Sequence, residues 1–122
     1  MASIIGSRYL ESIVSMDLIE IKHLRDHDLL SGLIRIHVLY HACKEPIFGL
    51  GMIEELQLHG YKLSAGTLYP MLHGLEKKGL LRSKRIQLGK NGRRVYQATA
   101  AGRAALERVK EKVKILLGEL VE

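Results

Sequence analysis

Residues 64–81 read SAGTLYPMLHGLEKKGLL, and this stretch decides the fold. Large apolar residues recur in it at the three- and four-residue spacing of a helix that buries one face. Ser64 is a favoured N-cap residue, and Gly79 is a favoured residue just after a helix end. The pattern therefore predicts a helix over residues 64–78. The residues expected to face the core are Leu68, Leu72 and Leu75.

Pro70 lies inside this predicted helix. Because proline has no backbone N–H, it removes the hydrogen bond to the carbonyl of Gly66. The first turn is therefore expected to be bent or irregular, unless the helix starts later than Ser64.

A strand pattern replaces the helical one after Gly79. Residues 80–88 and 93–98 are predicted to be two antiparallel strands. The turn is predicted at residues 89–92, Gly-Lys-Asn-Gly, because Asn-Gly is a strong hairpin signal. Residues 89–94 would then form a basic wing.

Helical patterns also precede this stretch. They predict helices over residues 7–27, 29–44 and 49–59, and the second ends at Glu45-Pro46 because the residue before a proline avoids helical geometry. The first two are separated by a break near His27-Asp28 in this prediction, and the alternative is that they are one bent helix. The apolar face of the second is expected to carry Leu30, Leu33, Ile34, Val38 and His41.

Three core helices followed by a hairpin form a winged helix-turn-helix, a mainly α fold with a minor β part. Residues 1–28 would be an N-terminal helix at a dimer interface, residues 29–98 the winged-helix domain, and residues 99–122 a C-terminal dimerisation helix capped by Thr99.

The C-terminal helix carries a heptad pattern, which favours a seam between two copies of the chain. The alternative is that this helix only covers its own core. The predicted seam residues are Leu106, Val109, Val113, Leu116 and Leu120. Residues of the N-terminal helix expected alongside them are Leu10, Ile13, Ile21 and Leu24.

The net charge of +6 is concentrated in one part of the chain. Residues 64–98 contain eight Lys and Arg but only one acid, Glu76, whereas the remaining segments are nearly balanced or slightly acidic. A cluster this uneven indicates a polyanionic partner.

Other features narrow the class of protein. Cys43 is the only cysteine, no apolar run is long enough to cross a bilayer, and no signal peptide is recognisable, so a cytoplasmic protein without membrane attachment is expected. No catalytic set, phosphate-binding loop or metal cluster is recognisable. We therefore expect neither an enzyme nor a cofactor.

The sequence resembles the PadR family of transcriptional regulators over residues 29–106. The residues that carry the resemblance are Gly66-Thr67-Leu68-Tyr69-Pro70, the LExxGL pattern that follows, Gly32-Leu33, Gly49, and residues 92–102 (GRRVYQATAAG). The resemblance implies a dimeric, mostly bacterial repressor, here of the short subgroup with a single C-terminal helix. Cyanobacterial clock-related Pex-type regulators share this build, and no motif here singles them out.

Two departures from the family pattern concern ligands. Leu50-Gly51 stands where the family often has an aromatic after the glycine, and the chain has no tryptophan. A pocket that stacks planar ligands, as in multidrug-binding members, is therefore not expected, and the effector, if any, is unknown.

The expected ligand is double-stranded DNA with an inverted-repeat operator, because one such domain reads too few bases and a dimer has two-fold symmetry. The first turn of the helix would meet phosphates and base edges, and the wing would enter the minor groove. The residues expected to contact DNA are Lys62, Ser64, Ala65, Gly66, Thr67, Tyr69, Lys90, Asn91, Arg93 and Arg94.

Two alternatives remain open from the sequence. A winged helix can serve in protein–protein assembly, although that role would not need the basic segment. A metal- or redox-responsive regulator could use the histidine pairs His23/His27 and His37/His41 or Cys43, but each pair lacks a third ligand in the sequence pattern.

Overall fold

The computed structural model describes residues 26–121 of the chain. The helix expected over residues 7–27 falls almost wholly outside this range, and so do its four expected interface residues. These four are Leu10, Ile13, Ile21 and Leu24.

The described chain forms three helices, an antiparallel hairpin and a long final helix, which is the predicted winged-helix order. The elements are α1 (Asp26–Lys44), α2 (Gly49–Leu58), α3 (Ala65–Lys77), β1 (Leu81–Leu88), β2 (Asn91–Ala98) and α4 (Ala100–Leu120). None of the helices in residues 26–121 is long and apolar enough to cross a membrane.

Helix α1 differs from the prediction at its start and on its buried face. It is already helical at Asp26, so the break expected near His27-Asp28 is not present. The positions buried in it are Ile34, Val38, Leu39 and Ala42. Leu33, which was expected on that face, is 43% exposed, because the buried stripe follows the i, i+4 row through residues 34, 38 and 42.

The helix-turn-helix unit agrees closely with the local signals. Helix α3 has Ser64 at its N-cap and begins at Ala65, so the later start is excluded, and it continues through Pro70 to Lys77. Gly60 and Gly79 follow the ends of α2 and α3 with φ of 87° and 79°, the left-handed geometry that favours glycine. Leu68, Leu72 and Leu75 are buried, as predicted.

The hairpin turn starts where predicted, at Gly89, but it is shorter than the predicted range 89–92. Leu88 pairs with Asn91, so the loop consists only of Gly89 and Lys90, and the Asn-Gly dipeptide belongs to β2. Gly89 has φ of +60° and no non-glycine residue of the described chain has positive φ. A type II′ turn requires glycine at its first central position and accepts an ordinary residue at the second. It fits the twist of the strands as well as the type I′ turn that Asn-Gly favours.

A third strand-like contact covers the hairpin edge. Ile47 pairs with Tyr96, and the two residues exchange both backbone hydrogen bonds at 2.8 and 2.9 Å. This bridge fixes the segment between α1 and α2 against β2. The sequence pattern did not reveal it, because a single bridging residue has no periodicity.

Helix α4 starts as predicted and then leaves the domain. The Thr99 hydroxyl accepts a hydrogen bond from the Gly102 N–H at 3.0 Å, which caps the first turn. Leu106 is 5% exposed and belongs to the core of its own chain. Beyond it, most side chains up to Val121 are exposed, so the helix covers its own core only over its first two turns.

Tyr96 is buried to 1% exposure, yet its hydroxyl has no hydrogen-bond partner among the described residues. Burial, followed by the nearby Glu76 carboxylate, raises the pKa of this phenol, which is therefore neutral at pH 7.

We expect Tyr96→Phe to leave the free energy of unfolding unchanged or to raise it by up to about 1 kcal/mol, because it removes an unpaired buried polar group. Tyr96→Ala should lower it by about 3–5 kcal/mol through the cavity it leaves. Denaturant unfolding measures both. A loss above about 1 kcal/mol in Tyr96→Phe would mean that the hydroxyl is bonded in the folded protein.

Candidate nucleic-acid interface

Helix α3 presents a solvent-facing stripe opposite its buried leucines. The stripe recurs at helical spacing and ends on a cation, and its exposed members are Gly66, Tyr69, Pro70, His73 and Lys77. Sequence reasoning had selected Gly66 and Tyr69 but missed His73 and Lys77. They could have been found from the helical spacing, because they lie on the face of α3 opposite the buried Leu68, Leu72 and Leu75.

The first turn of α3 has no side-chain cap. The Ser64 Oγ lies 3.5 Å from the Thr67 Oγ1 instead of accepting from a backbone N–H of the helix. The backbone N–H groups at the start of α3 and its positive dipole end are therefore available to an anion. Of the predicted residues here, Lys62, Ser64 and Gly66 are exposed and Ala65 and Thr67 are half-buried.

Tyr69 packs against the start of α2. A side-chain carbon built on Gly49 would collide with the Tyr69 hydroxyl and ring, so the ring lies directly over the Gly49 backbone. Gly49 is consequently buried, while Tyr69 keeps 36% of its surface exposed. Tyr69 thus joins α2 to α3 while part of its side chain stays exposed.

The positive charge of residues 64–98 is exposed and unneutralised. All eight Lys and Arg of this segment are exposed, and none forms a salt bridge within the described part of the chain. Its one acid, Glu76, instead accepts from the Ser83 backbone N–H and hydroxyl at 2.8 and 2.7 Å. The charge is therefore free to act on an external anion.

Arg93, the third residue of β2, packs against the residue that precedes α2. Its guanidinium lies over the Phe48 ring, 4.4 Å from the ring centroid, a cation–π contact. Phe48 is followed by Gly49, on which the Tyr69 ring packs. Two adjacent residues at the start of α2 therefore contact both the predicted hairpin residue Arg93 and the predicted helix residue Tyr69. The sequence pattern did not predict this junction.

Arg94 lies across from Arg85 in the two-stranded sheet. Residues opposite each other in an antiparallel pair project from the same face, so two like charges share one face of the hairpin, which is unfavourable unless an anion lies near them. Arg94 donates to the Ser83 Oγ at 3.1 Å, and the Arg85 guanidinium occupies the space beside Gly92 that a side chain would fill. Arg94 was among the predicted DNA contacts, whereas the sequence left open whether Arg85 contacts phosphate or solvent.

Lys90 and Asn91 lie at the hairpin tip and are exposed. Lys90 is in the two-residue turn, and Asn91 is the first residue of β2. The predicted hairpin residues therefore lie in two groups, with Lys90 and Asn91 at the tip and Arg93 and Arg94 slightly further along β2.

Comparison with known proteins identifies relatives of the chain. The family described as "Transcriptional regulator PadR-like family" matches residues 38–108. A curated protein, the transcriptional regulator Rv3488 of Mycobacterium tuberculosis, is 44% identical over 88 residues, which cover 72% of this chain and 82% of that protein.

Solved structures share the fold. A PadR-family transcriptional regulator from Eggerthella lenta is 30% identical with a TM-score of 0.67, over 94% of this chain and 97% of that one. A PadR-like transcriptional regulator from Bacillus cereus is 25% identical with a TM-score of 0.67, over 78% of this chain and 97% of that one.

Proposed function

The chain belongs to the PadR-like family of DNA-binding transcriptional regulators, and we propose that it acts in the cytoplasm as a homodimeric, non-enzymatic repressor that reads an inverted-repeat operator. Helix α3 enters the major groove through its exposed stripe, and the hairpin contacts phosphates and the minor groove. The observation that carries this proposal is the set of eight exposed cations of residues 64–98, none of which forms a salt bridge within residues 26–121.

The exposed stripe of α3 and the hairpin have different roles in this proposal. Thr67 and His73 offer hydrogen-bonding groups to base edges, and the exposed part of the Tyr69 ring offers an apolar surface, whereas the open first turn offers N–H groups to a phosphate. Lys90 and Asn91 at the tip reach the minor groove, where negative potential favours basic side chains. Arg85 and Arg94 supply attraction that does not depend on sequence.

A protein–protein assembly module is the second candidate function. This function would give the exposed cations of residues 64–98 no role, because they add no binding energy towards a neutral protein partner. Titration of labelled double-stranded DNA at several salt concentrations separates the two functions, since only a DNA-binding protein shows strong binding that weakens steeply with salt.

The proposed dimer uses the part of α4 that leaves the domain. Its second half and the C-cap residue after it expose large apolar side chains, namely Val113, Ile115, Leu116, Leu117, Leu120 and Val121. Its first half forms, with Leu33, Ile36 and Tyr40 of α1, an apolar groove of about 350 Å³ that extends to Val113. Apolar surface this extensive on a charged chain favours burial against a second copy.

Of the predicted seam residues, Val113, Leu116 and Leu120 are available to a partner and Val109 is half-buried, whereas Leu106 packs in its own core. The proposed interface therefore starts at Val109 and runs towards the end of α4.

We expect Val113→Glu to produce monomers, because it places a charge in the apolar groove and seam. Sedimentation velocity measures the change, and circular dichroism checks that the fold is retained. The matched control is Lys112→Glu, an exposed neighbour outside the seam that should remain dimeric. A persistent dimer in Val113→Glu would refute this interface.

A further inference from the structure

Three histidines that lie far apart in the sequence meet beside the helix-turn-helix. His37 and His41 are one turn apart on α1, and His59 is the C-cap residue of α2. One ring nitrogen from each lies within 4.8 Å of the others. The fold therefore supplies the third ligand that the His37/His41 pair lacked in the sequence pattern.

We propose that His37, His41 and His59 bind a divalent transition metal ion, with Zn²⁺ the ion that this ligand set suits best. Imidazole nitrogen is a preferred ligand of Zn²⁺, Ni²⁺ and Cu²⁺, and three histidines with one further ligand complete a tetrahedral zinc site. Hard ions such as Mg²⁺ and Ca²⁺ prefer oxygen ligands and are excluded by this donor set.

Glu55 supplies the fourth group. Its Oε1 lies 3.6 Å from the His41 Nε2 and 3.3 Å from the His59 Nε2, so two ring nitrogens already face one carboxylate oxygen. In metal sites a carboxylate beside histidine ligands either coordinates the ion or orients the rings. Glu55 is one helical turn before His59, so both roles are within its reach.

The geometry needs only a small contraction to bind an ion. Nitrogens at about 2.0–2.1 Å from a tetrahedral zinc ion are about 3.4 Å apart. The present upper separation of 4.8 Å exceeds this by an amount that side-chain rotation can close. His59 and Glu55 are part-exposed, whereas the His37 ring, stacked 5.1 Å from that of His59, sets the inner end of the site.

The surroundings of His37 favour the neutral ring that metal binding requires. Burial, followed by the imidazoles of His59 and His41, lowers the pKa of His37, while Glu55 opposes this shift. The Tyr61 ring packs edge-on against His37 at 5.2 Å between centroids and holds its orientation.

The site is tested by metal titration of the untagged, chelator-treated chain. Co²⁺ is followed by its visible absorption, and Zn²⁺ by competition against Co²⁺. We expect one ion per chain with tetrahedral Co²⁺ bands. His59→Gln and His41→Gln should each weaken binding by at least about 100-fold, and Glu55→Gln by about 10–100-fold.

The matched control is His73→Gln, a histidine on α3 outside the cluster, which should bind metal like the unmodified chain. Circular dichroism confirms that each variant is folded. Absence of metal binding by the unmodified chain, or unchanged binding in His59→Gln, would overturn the proposal.

The position of the site couples it to the proposed DNA-binding role. His59 ends α2, and the turn after it leads directly into α3, so a bound ion would tie this turn to α1. This consequence rests on the proposed function. We expect DNA affinity to differ at least about 5-fold between metal-free and metal-loaded chain, and not to differ in His59→Gln.

The metal site, the DNA-binding function and the coupling between them are tested by separate measurements. Metal binding without DNA decides the site, and DNA binding by the metal-free chain decides the proposed function. Equal DNA affinity of the metal-free and metal-loaded chain, with the site intact, would overturn the coupling alone.

Discussion

Gly102→Ala is expected to lower the free energy of unfolding by about 3 kcal/mol, at the upper end of what overpacking costs. A side-chain carbon at Gly102 would collide with the Leu80 carbonyl oxygen and contact the Leu39 side chain. The carbonyl cannot move aside easily, because Leu80 also donates to the Leu75 carbonyl and accepts from the Thr99 N–H. The start of α4 would have to separate from the end of α3.

The measurement is thermal unfolding at a fixed protein concentration, where a loss of this size lowers Tm by about 12 °C. Gly118→Ala is the matched control on the same helix, because nothing lies within 4 Å of its added carbon. Alanine should stabilise α4 there by up to about 1 kcal/mol. If Gly102→Ala and Gly118→Ala both raised Tm or both lowered it, the result would contradict the packing of α4 described above.

The sequence predicted those elements whose signals are local. Ser64, Gly79 and Thr99 mark helix ends through backbone geometry or capping, and the structure has each of them within one residue of the prediction. The hairpin strands were also predictable. The turn was predicted too long, as residues 89–92, because Gly89-Lys90 and Asn91-Gly92 can each form a two-residue turn and composition alone does not rank them.

Contacts between distant residues could not be predicted in this way. Four such contacts join segments that share no periodicity. They are the Arg93–Phe48 contact, the Tyr69–Gly49 contact, the Ile47–Tyr96 bridge and the approach of His59 to α1. The heptad pattern has a related limit. Leu106 has the same spacing as Val113, yet one packs in its own core and the other is exposed, because the spacing of a pattern does not say which surface covers it.

Neutralising the cross-strand pair, Arg85→Gln with Arg94→Gln, is expected to weaken DNA binding by about 10²–10³-fold at roughly 0.15 M salt. The reason is that a dimer would lose about four phosphate contacts, each contributing about 1 kcal/mol through counterion release. These arginines are better targets than Arg93 and Tyr69, because the latter also pack against Phe48 and Gly49 and their loss would disturb the fold.

The control for this variant removes the same charge elsewhere. Arg108→Gln with Lys112→Gln neutralises two exposed cations on α4 that form no salt bridge in the described chain, and DNA affinity should then fall less than about 10-fold. Fluorescence anisotropy with labelled DNA measures both variants. An equal loss in the two would mean that net charge, not the hairpin, determines binding.

The most direct test of the central claim is the salt dependence of binding to a duplex selected by this protein from genomic DNA. If each chain neutralises about four phosphates, the logarithm of the association constant should fall against the logarithm of the salt concentration with a slope near −7 for the dimer. The slope should be about −4 for the Arg85/Arg94 variant. No binding to any duplex, or a slope that the hairpin variant leaves unchanged, would contradict the assignment of α3 and the hairpin as the DNA-binding surface.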